Sequence, residues 1–345
     1  MAGLARGHGA PSRRGPRADP LLIAEGIHCI PLPTPFAVGR VNTYLIEDDP
    51  LTLVDSGPNS GKAFDELDRA LIERGHRIAD LGLIVVTHQH VDHEGLVDIL
   101  ARRSGAEVAA LAPLADWLAE YRERMAADDV FAEELMVRHG VGRDVAHALR
   151  AVSAAFRGWG GSATVTARLG DGEELRLRDR ALRALHRPGH SPTDTVFFDA
   201  ERRVLIGGDH LIGHISSNPL MTRALDGSDE RPRALAIYLE SLRATRAMDV
   251  DLVLTGHGDP VTDHAALIGE RFWMHERRAA KIAERIEADG PLTAHEVAQA
   301  IWGNVALTQA FLTLSEVLGH VDLLIERGEV VAEEGGDGVV RFAAA

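Results

Sequence analysis

The stretch VVTHQHVDHEG, residues 85–95, constrains this chain more than any other feature. An apolar run delivers the backbone directly into His88, His90, Asp92 and His93, four ligand-type side chains within six positions. Histidine supplies 17 of 345 residues, too few to give this spacing as background. Imidazole and carboxylate without thiolate suit Zn, Fe or Mn. The preceding LGLIVVT reads as a short buried strand. The four residues therefore sit at its C-terminal end, where α/β sheets place their binding groups.

Three later segments follow the same logic. HRPGHS puts His190 in a tight turn after a strand, LIGGDH ends an apolar strand on Asp209, and LVLTGHG ends another near His257. Singly, these read as a turn histidine, a capping aspartate and a surface histidine. Jointly, ligand-type residues at successive strand ends, beside glycines that let the backbone approach closely, point to a metal centre.

The pattern along the chain is β-β-β-α-β-α-β at first, which implies sheet layers covered by helices. In GKAFDELDRALIERG, helical spacing places Phe64, Leu67, Leu71 and Ile72 on one face, with Gly75 as the stop. Residues 114–158 are helical in character and carry Trp117, Tyr121, Phe131, Met136 and Phe156. They read as a lid or acyl-binding wall, or simply as a packed helical insert. Strand character then returns up to LVLTGHG. From Ala265 onward a long helix ends at Gly290-Pro291. A second opens with Thr293 and Glu296 spaced as a capping box. A third covers roughly residues 308–326, and a small hairpin closes the chain. Helix-helix-helix-hairpin is a winged-helix arrangement. The expected organisation is a disordered tail over 1–20, a catalytic domain over 21–262 with its insert at 114–158, and a winged-helix-like domain over 263–345.

Composition limits the partners. The net charge is −15, with Lys62 and Lys281 the only lysines. An acidic chain matches a phosphate-rich polymer poorly. No apolar run reaches the roughly 20 residues that span a bilayer. The tail lacks the apolar region of a secretory signal, so the cytoplasm is the expected compartment. The single cysteine, Cys29, allows neither an intrachain disulfide nor a thiolate cluster, and reads as a small, partly buried strand residue.

With Asp55 in LVDSG, the H-x-H-x-D-H at 88–93, His190, Asp209 and His257 in order, the chain resembles the metallo-β-lactamase-fold hydrolase superfamily over residues 20–262. The resemblance implies an α/β fold, an αββα sandwich with two divalent metal ions between the sheets, zinc first and iron or manganese as alternatives. It implies that His88, His90 and His190 hold the first ion, that Asp92, His93 and His257 hold the second, and that Asp209 bridges them. Asp55 is implied as a structural buttress of the metal loop. Asp92 is implied as catalytic, orienting a metal-bound hydroxide and taking its proton.

Within that superfamily the lactamase-β-like-2 type, with its C-terminal winged helix, resembles this chain most. The group includes a single-strand-preferring endoribonuclease and fungal acyl-carrier thioesterases. The third C-terminal helix carries Glu316, Asp322 and Glu326 and no basic residue before Arg327. Its Phe311, Leu312, Leu314, Val317, Leu318, Val321 and Leu324 read as packing, so the wing reads as scaffold, pocket wall or homodimer contact rather than a nucleic-acid reader. The expectation is a hydrolase of a small-molecule ester-like bond, a thioester such as acyl-CoA first and a lactone or carboxylic ester second. The alternatives are a metal-dependent endoribonuclease or phosphodiesterase, a non-haem iron sulfur dioxygenase, and a winged-helix regulator with a vestigial core. Lactonases often carry tyrosine where this chain has Ile212. His210 and His214 read as packing before proton donors, and SSNPL at 216–220 as a pocket mouth.

Overall fold

The computed structural model describes residues 22–228 and 230–345, so the tail expected over 1–20 lies outside the described residues. Strands β1 (Leu22–Ala24), β2 (Ile27–Leu32), β3 (Val41–Ile46) and β4 (Thr52–Val54) pair antiparallel. Helix α1 (Gly61–Ile72) leads to β5 (Leu83–Val85), and α2 (Val91–Glu94) and α3 (Val97–Ser104) lead to β6 (Glu107–Leu111). Helices α4 (Ala112–Ala119), α5 (Tyr121–Arg138) and α6 (Arg143–Phe156) then precede β7 (Ala167–Leu169). These seven strands form one sheet in chain order, parallel from β4 to β7. The all-apolar LIV of β5 and the TLV of β4 are fully buried, as strands covered on both faces must be.

The second sheet contains β8 (Glu174–Arg176), β9 (Ala181–His186), β10 (Thr195–Asp199), β11 (Val204–Gly208) and β12 (Leu252–Thr255), in the spatial order β12-β11-β10-β9-β8. Helix α7 (Ala234–Arg246) makes the crossover from β11 to the parallel β12. The chain ends with α8 (His264–Asp289), α9 (Ala294–Trp302), α10 (Val305–Thr308), α11 (Ala310–Glu326) and the hairpin of β13 (Val330–Glu334) and β14 (Val340–Ala344).

Alternation along the strands sets the layers. Inward residues of the first sheet (Tyr44, Ile46, Val54, Val85) meet those of the second (Leu182, Phe197, Ile206, Leu254) in one apolar core. The outer face of the first sheet is covered by α1, α3 and α4 through Leu67, Leu100 and Leu114. The outer face of the second is covered by α7 and α8 through Leu239, Leu242 and Ile268. The result is an αββα sandwich. A fourth core joins α5 and α6 to the C-terminal helices through Met136, Ala146, Ile282, Val297 and Leu318. The insert and the C-terminal region therefore share one interior.

The sheets are pinned together at the end that carries the ligand-type residues. The Tyr44 hydroxyl donates to the Thr255 carbonyl at 2.6 Å, and the Asn42 amide donates to the carbonyls of Thr255 (3.0 Å) and Gly258 (2.8 Å). These bonds satisfy polar groups that burial would otherwise penalise.

Two helices differ in detail from the sequence expectation. In α1 the buried stripe is Ala63, Leu67, Ala70 and Leu71, whereas Ile72 is 58% exposed. At about 100° per residue, Ile72 is turned off the stripe that ends at Leu71. The third C-terminal helix does not begin at Thr308, because a separate short turn ends there and α11 starts at Ala310. The capping box forms: Glu296 N–H donates to Thr293 Oγ1 at 3.1 Å, and Thr293 N–H to Glu296 Oε2 at 2.8 Å.

Candidate metal centre

Five strand ends converge on one point. Asp55 follows β4, His88 to His93 follow β5, His190 follows β9, Asp209 follows β11 and His257 follows β12. The structure brings His88, His90, His190 and Asp209 into one group that could hold a metal ion, and Asp92, His93 and His257 into another. His90 Nδ1 stands 3.1 Å from His88 Nε2 and 3.0 Å from His190 Nε2. Ligands held at about 2.0–2.1 Å around a tetrahedral ion would be about 3.3 Å apart, so this spacing fits a shared cation. Asp209 faces both groups: Oδ1 lies 3.3 Å from His93 Nε2, and Oδ2 lies 3.6 Å from His190 Nε2 and 3.5 Å from His257 Nε2. Asp92 Oδ2 lies 3.4 Å from His257 Nε2.

The donor set tests whether a cation fits. His93 Nε2 and Asp209 Oδ1 are buried 3.3 Å from each other, and neither makes a hydrogen bond. Groups of that kind are rare in protein interiors unless something else binds them. Gly256 sits against them, where a Cβ would come 2.1 Å from Asp209 Oδ1 and 2.8 Å from His93 Cε1. Only glycine lets β12 end so close to the carboxylate.

Electrostatics divides the two groups. Burial, then the neighbouring histidines, hold His88 well below the usual imidazole range, and burial with His190 pushes His90 down to about 3. Burial also works against a proton on His93, but the Asp209 and Asp55 carboxylates outweigh it and hold His93 well above its ordinary value. Burial opposes a proton on His257 too, but hydrogen bonding to Asp209 and Asp92 outweighs it and raises the imidazole to about 9. A divalent cation held here would displace those protons and take over the charge compensation.

The far ring nitrogens are anchored. His93 Nδ1 donates to Asp55 Oδ2 at 2.8 Å, His257 Nδ1 to the Arg40 carbonyl at 2.8 Å, and His190 Nδ1 to the Asn218 carbonyl at 3.1 Å. His88 Nδ1 lies 3.0 Å from Thr87 Oγ1, whose hydroxyl donates to Asp55 Oδ2 at 2.8 Å. Each such bond fixes a tautomer and turns the opposite nitrogen toward the centre.

Thr87 and Asp194 were not picked out by sequence reasoning, and Asn218 was read only as part of the SSNPL pocket mouth, where it does line the cavity. Asp194 is buried behind the first group, 4.0 Å from His88 Nδ1, and accepts from the Ser191 N–H at 3.1 Å and the Ser191 hydroxyl at 3.0 Å. Burial pushes its carboxyl up to about 6. A carboxylate four positions after His190, just before an apolar strand, was the available signal. His210 turns away from the centre, with Nε2 2.8 Å from Thr245 Oγ1 on α7, and His214 is exposed.

A cavity of about 600 Å³ opens on the cluster, with His90, Asp92, His190, Asp209 and His257 at one end. Its walls are mostly apolar, with Trp117, Met125 and Phe156 from the insert, Ile212 and Met221 from the segment after Asp209, and Phe311 and Leu312 from α11, while Asp128, Asp129 and Arg150 of the insert also line it. The insert thus lines the cavity. Phe311 and Leu312, read from the sequence as packing, also face it, and Leu312 is 41% exposed.

With this geometry in place, comparison with known proteins decides the family. The model of the metallo-beta-lactamase superfamily matches residues 37–257. The chain belongs to that superfamily. It is similar to the probable metallo-hydrolase YqjP of Bacillus subtilis (strain 168), 31% identical over 303 residues, 88% of this chain and 93% of the relative. The atrochrysone carboxyl ACP thioesterase of Emericella nidulans is 23% identical over 242 residues, 70% of this chain and 59% of the relative. Among solved structures, a beta-lactamase domain protein from Burkholderia ambifaria superposes with a TM-score of 0.80 at 26% identity, covering 94% of this chain and 93% of that one. A metallo-beta-lactamase family protein from Thermus thermophilus gives 0.77 at 26% identity, covering 93% and 99%. This superfamily member is a metal-dependent hydrolase whose His/Asp clusters could hold divalent ions. Among the described residues, no helix is long and apolar enough to cross a membrane.

Proposed function

We propose that this chain hydrolyses an ester-like bond of a small molecule with an apolar acyl group, a thioester first and a lactone or carboxylic ester second. The observation that carries the reading is the cavity itself, which joins the ligand-type residues to a lining that is mostly apolar, with Asp128, Asp129 and Arg150 as its charged exceptions. A relative named as a thioesterase supports the choice of bond. The division into a catalytic unit over 21–262 and a winged-helix-like unit over 263–345 belongs to the same proposal.

In this reading His88, His90 and His190 hold one divalent ion and Asp92, His93 and His257 a second, with Asp209 between them and zinc as the metal. Bound there, the ions would acidify the attacking water and polarise the scissile acyl oxygen. The chain's own residues do the rest. Asp92, which also lines the cavity, would orient the attacking water and accept its proton on its carboxylate. Asp55 and Thr87 keep His93 and His88 aimed inward. Trp117, Phe156 and Leu312 surround the acyl group and exclude water from it.

A hydrolysis panel over thioester, lactone, carboxylic ester and phosphodiester substrates tests this, run with zinc-reconstituted enzyme and an Asp92→Ala control. The expected result is fastest turnover of a medium-chain thioester, lost in the control. Phosphodiester cleavage alone, or thioester turnover that survives Asp92→Ala, contradicts it.

A further inference from the structure

The segment after Asp209 is laid along one face of the C-terminal helix α11. Asn218 Nδ2–H donates to the Leu312 carbonyl at 3.0 Å, and the Met221 N–H donates to Ser315 Oγ at 3.2 Å. Arg231 grips Asp322 with two bonds of 2.7 Å each. Gly319 lies so close to α7 that a Cβ there would come 2.9 Å from Leu235 Cβ. Positions 312, 315, 319 and 322 are spaced by three, four and three residues, so they share one helical face.

The near end of this segment touches the metal-ligating cluster. The Ser217 hydroxyl donates to the Asp209 carbonyl, and the Asn218 carbonyl takes the proton of His190 Nδ1 at 3.1 Å. Asn218 thus faces two ways: its backbone oxygen orients His190, and its side-chain amide is tied to the first turn of α11. The α11 end of that tie is itself fixed, because Leu314, Val317, Leu318 and Val321 are buried in the core shared with the insert.

We infer that Asn218 is a positioning residue for the first ion, and that α11 is a built-in part of the active site that sets His190 through it. This rests on the proposed assignment of His190 as a ligand. The C-terminal region is then a component of the hydrolase centre, and it needs no macromolecular partner to act there. Without the amide tie, Asn218 itself loses its bond to α11 and is held only through its neighbour Ser217 and through Met221. The lost order falls on one ion and not on the other, since His93 and His257 are anchored through Asp55 and Arg40.

The test is cobalt(II) binding to the full-length metal-free protein, read by chelator competition and by the visible absorption of the bound ions, for wild type, Asn218→Ala and Ser315→Ala. The expected result is an affinity for one of two ions lowered about 10-fold in Asn218→Ala. The band intensity of that ion should change and the other ion should be unaffected. Ser315→Ala should shift the same ion in the same direction. Asn218→Asp, which keeps the size but loses the donor toward Leu312, replaces Asn218→Ala if the latter does not fold. A merely structural role would lower the melting temperature of the metal-free protein and leave both cobalt affinities alike; that result overturns the inference while the ligand assignment stands. Wild-type protein that binds no cobalt overturns the ligand assignment and the inference with it.

Discussion

Asp55 Oδ2 accepts the proton of His93 Nδ1 at 2.8 Å, and the same oxygen takes the Thr87 hydroxyl at 2.8 Å. Through Thr87, which lies 3.0 Å from His88 Nδ1, one carboxylate steadies a histidine from each group. Asp55 holds this position with φ at 57°, a left-handed conformation that aspartate tolerates better than most residues. Replacing it should therefore loosen both groups. Asp55→Ala is expected to lower metal affinity about 10- to 100-fold, read by chelator competition. An unchanged affinity would remove Asp55 from the positioning network.

Metal removal should cost stability as well as activity. His93 Nε2 and Asp209 Oδ1 lack hydrogen-bond partners in the protein, so an ion that binds them favours the folded state. At ion concentrations about 1,000-fold above Kd, the gain is about 4 kcal/mol per ion. Calorimetry of the metal-free protein titrated with zinc should show a melting temperature that rises with zinc concentration. A flat melting temperature would place the ions elsewhere.

Phe156 stands at the cavity wall, 37% exposed, with its ring 5.6 Å from that of Phe36. Truncating it should cost little stability yet remove apolar contact from a bound acyl chain. Phe156→Ala is expected to lower kcat/KM for long-chain thioesters about 10-fold, a loss of about 1.4 kcal/mol. Acetyl thioesters should be unaffected. Equal losses for all chain lengths would place the acyl group away from this wall. Trp117→Ala should shift chain preference too, but at a stability cost of about 3–5 kcal/mol, since Trp117 is buried.

Acid should weaken the join between the insert and the C-terminal hairpin. His139 is buried and stacked on Phe342, with ring centroids 5.9 Å apart. Burial, then Arg231 and Arg138, push its imidazole down to about 3. Its folded value is depressed, so the unfolded chain binds the proton first. The stability it supplies is complete well above about pH 6.5 and is lost progressively as pH falls toward about 3. At about pH 5 the loss is about 2 kcal/mol. Urea denaturation at pH 7.5 and pH 5 should show a loss about 2 kcal/mol smaller in His139→Gln than in wild type, because His210 and His275, also pushed down to about 3, titrate in both.

Much of this was legible in the sequence because strand ends concentrate the evidence. The apolar runs before His88, Asp209 and His257 marked both the strands and the edge where they end. The alternation that forms the two sheets is local, so sheet layers covered by helices followed from it, while the αββα sandwich was what the resemblance implied. The supporting residues were not legible in the same way. Thr87 and Asp194 matter because strand ends far apart in sequence meet in space, and no spacing rule encodes that meeting. Asn218 sits in a segment without regular structure, and its partner Leu312 lies 94 residues away. The sequence cue for α11, an acidic helix with an apolar stripe, left scaffold, pocket wall and homodimer contact open and did not single out Phe311 and Leu312 as the residues that face the cavity.

The most direct test is to titrate metal-free protein with zinc while following hydrolysis of a medium-chain acyl thioester. The account expects activity to rise to a plateau at two equivalents, with Asp209→Ala silent throughout. Full turnover by the metal-free protein, or no thioester turnover at saturating zinc, would contradict it.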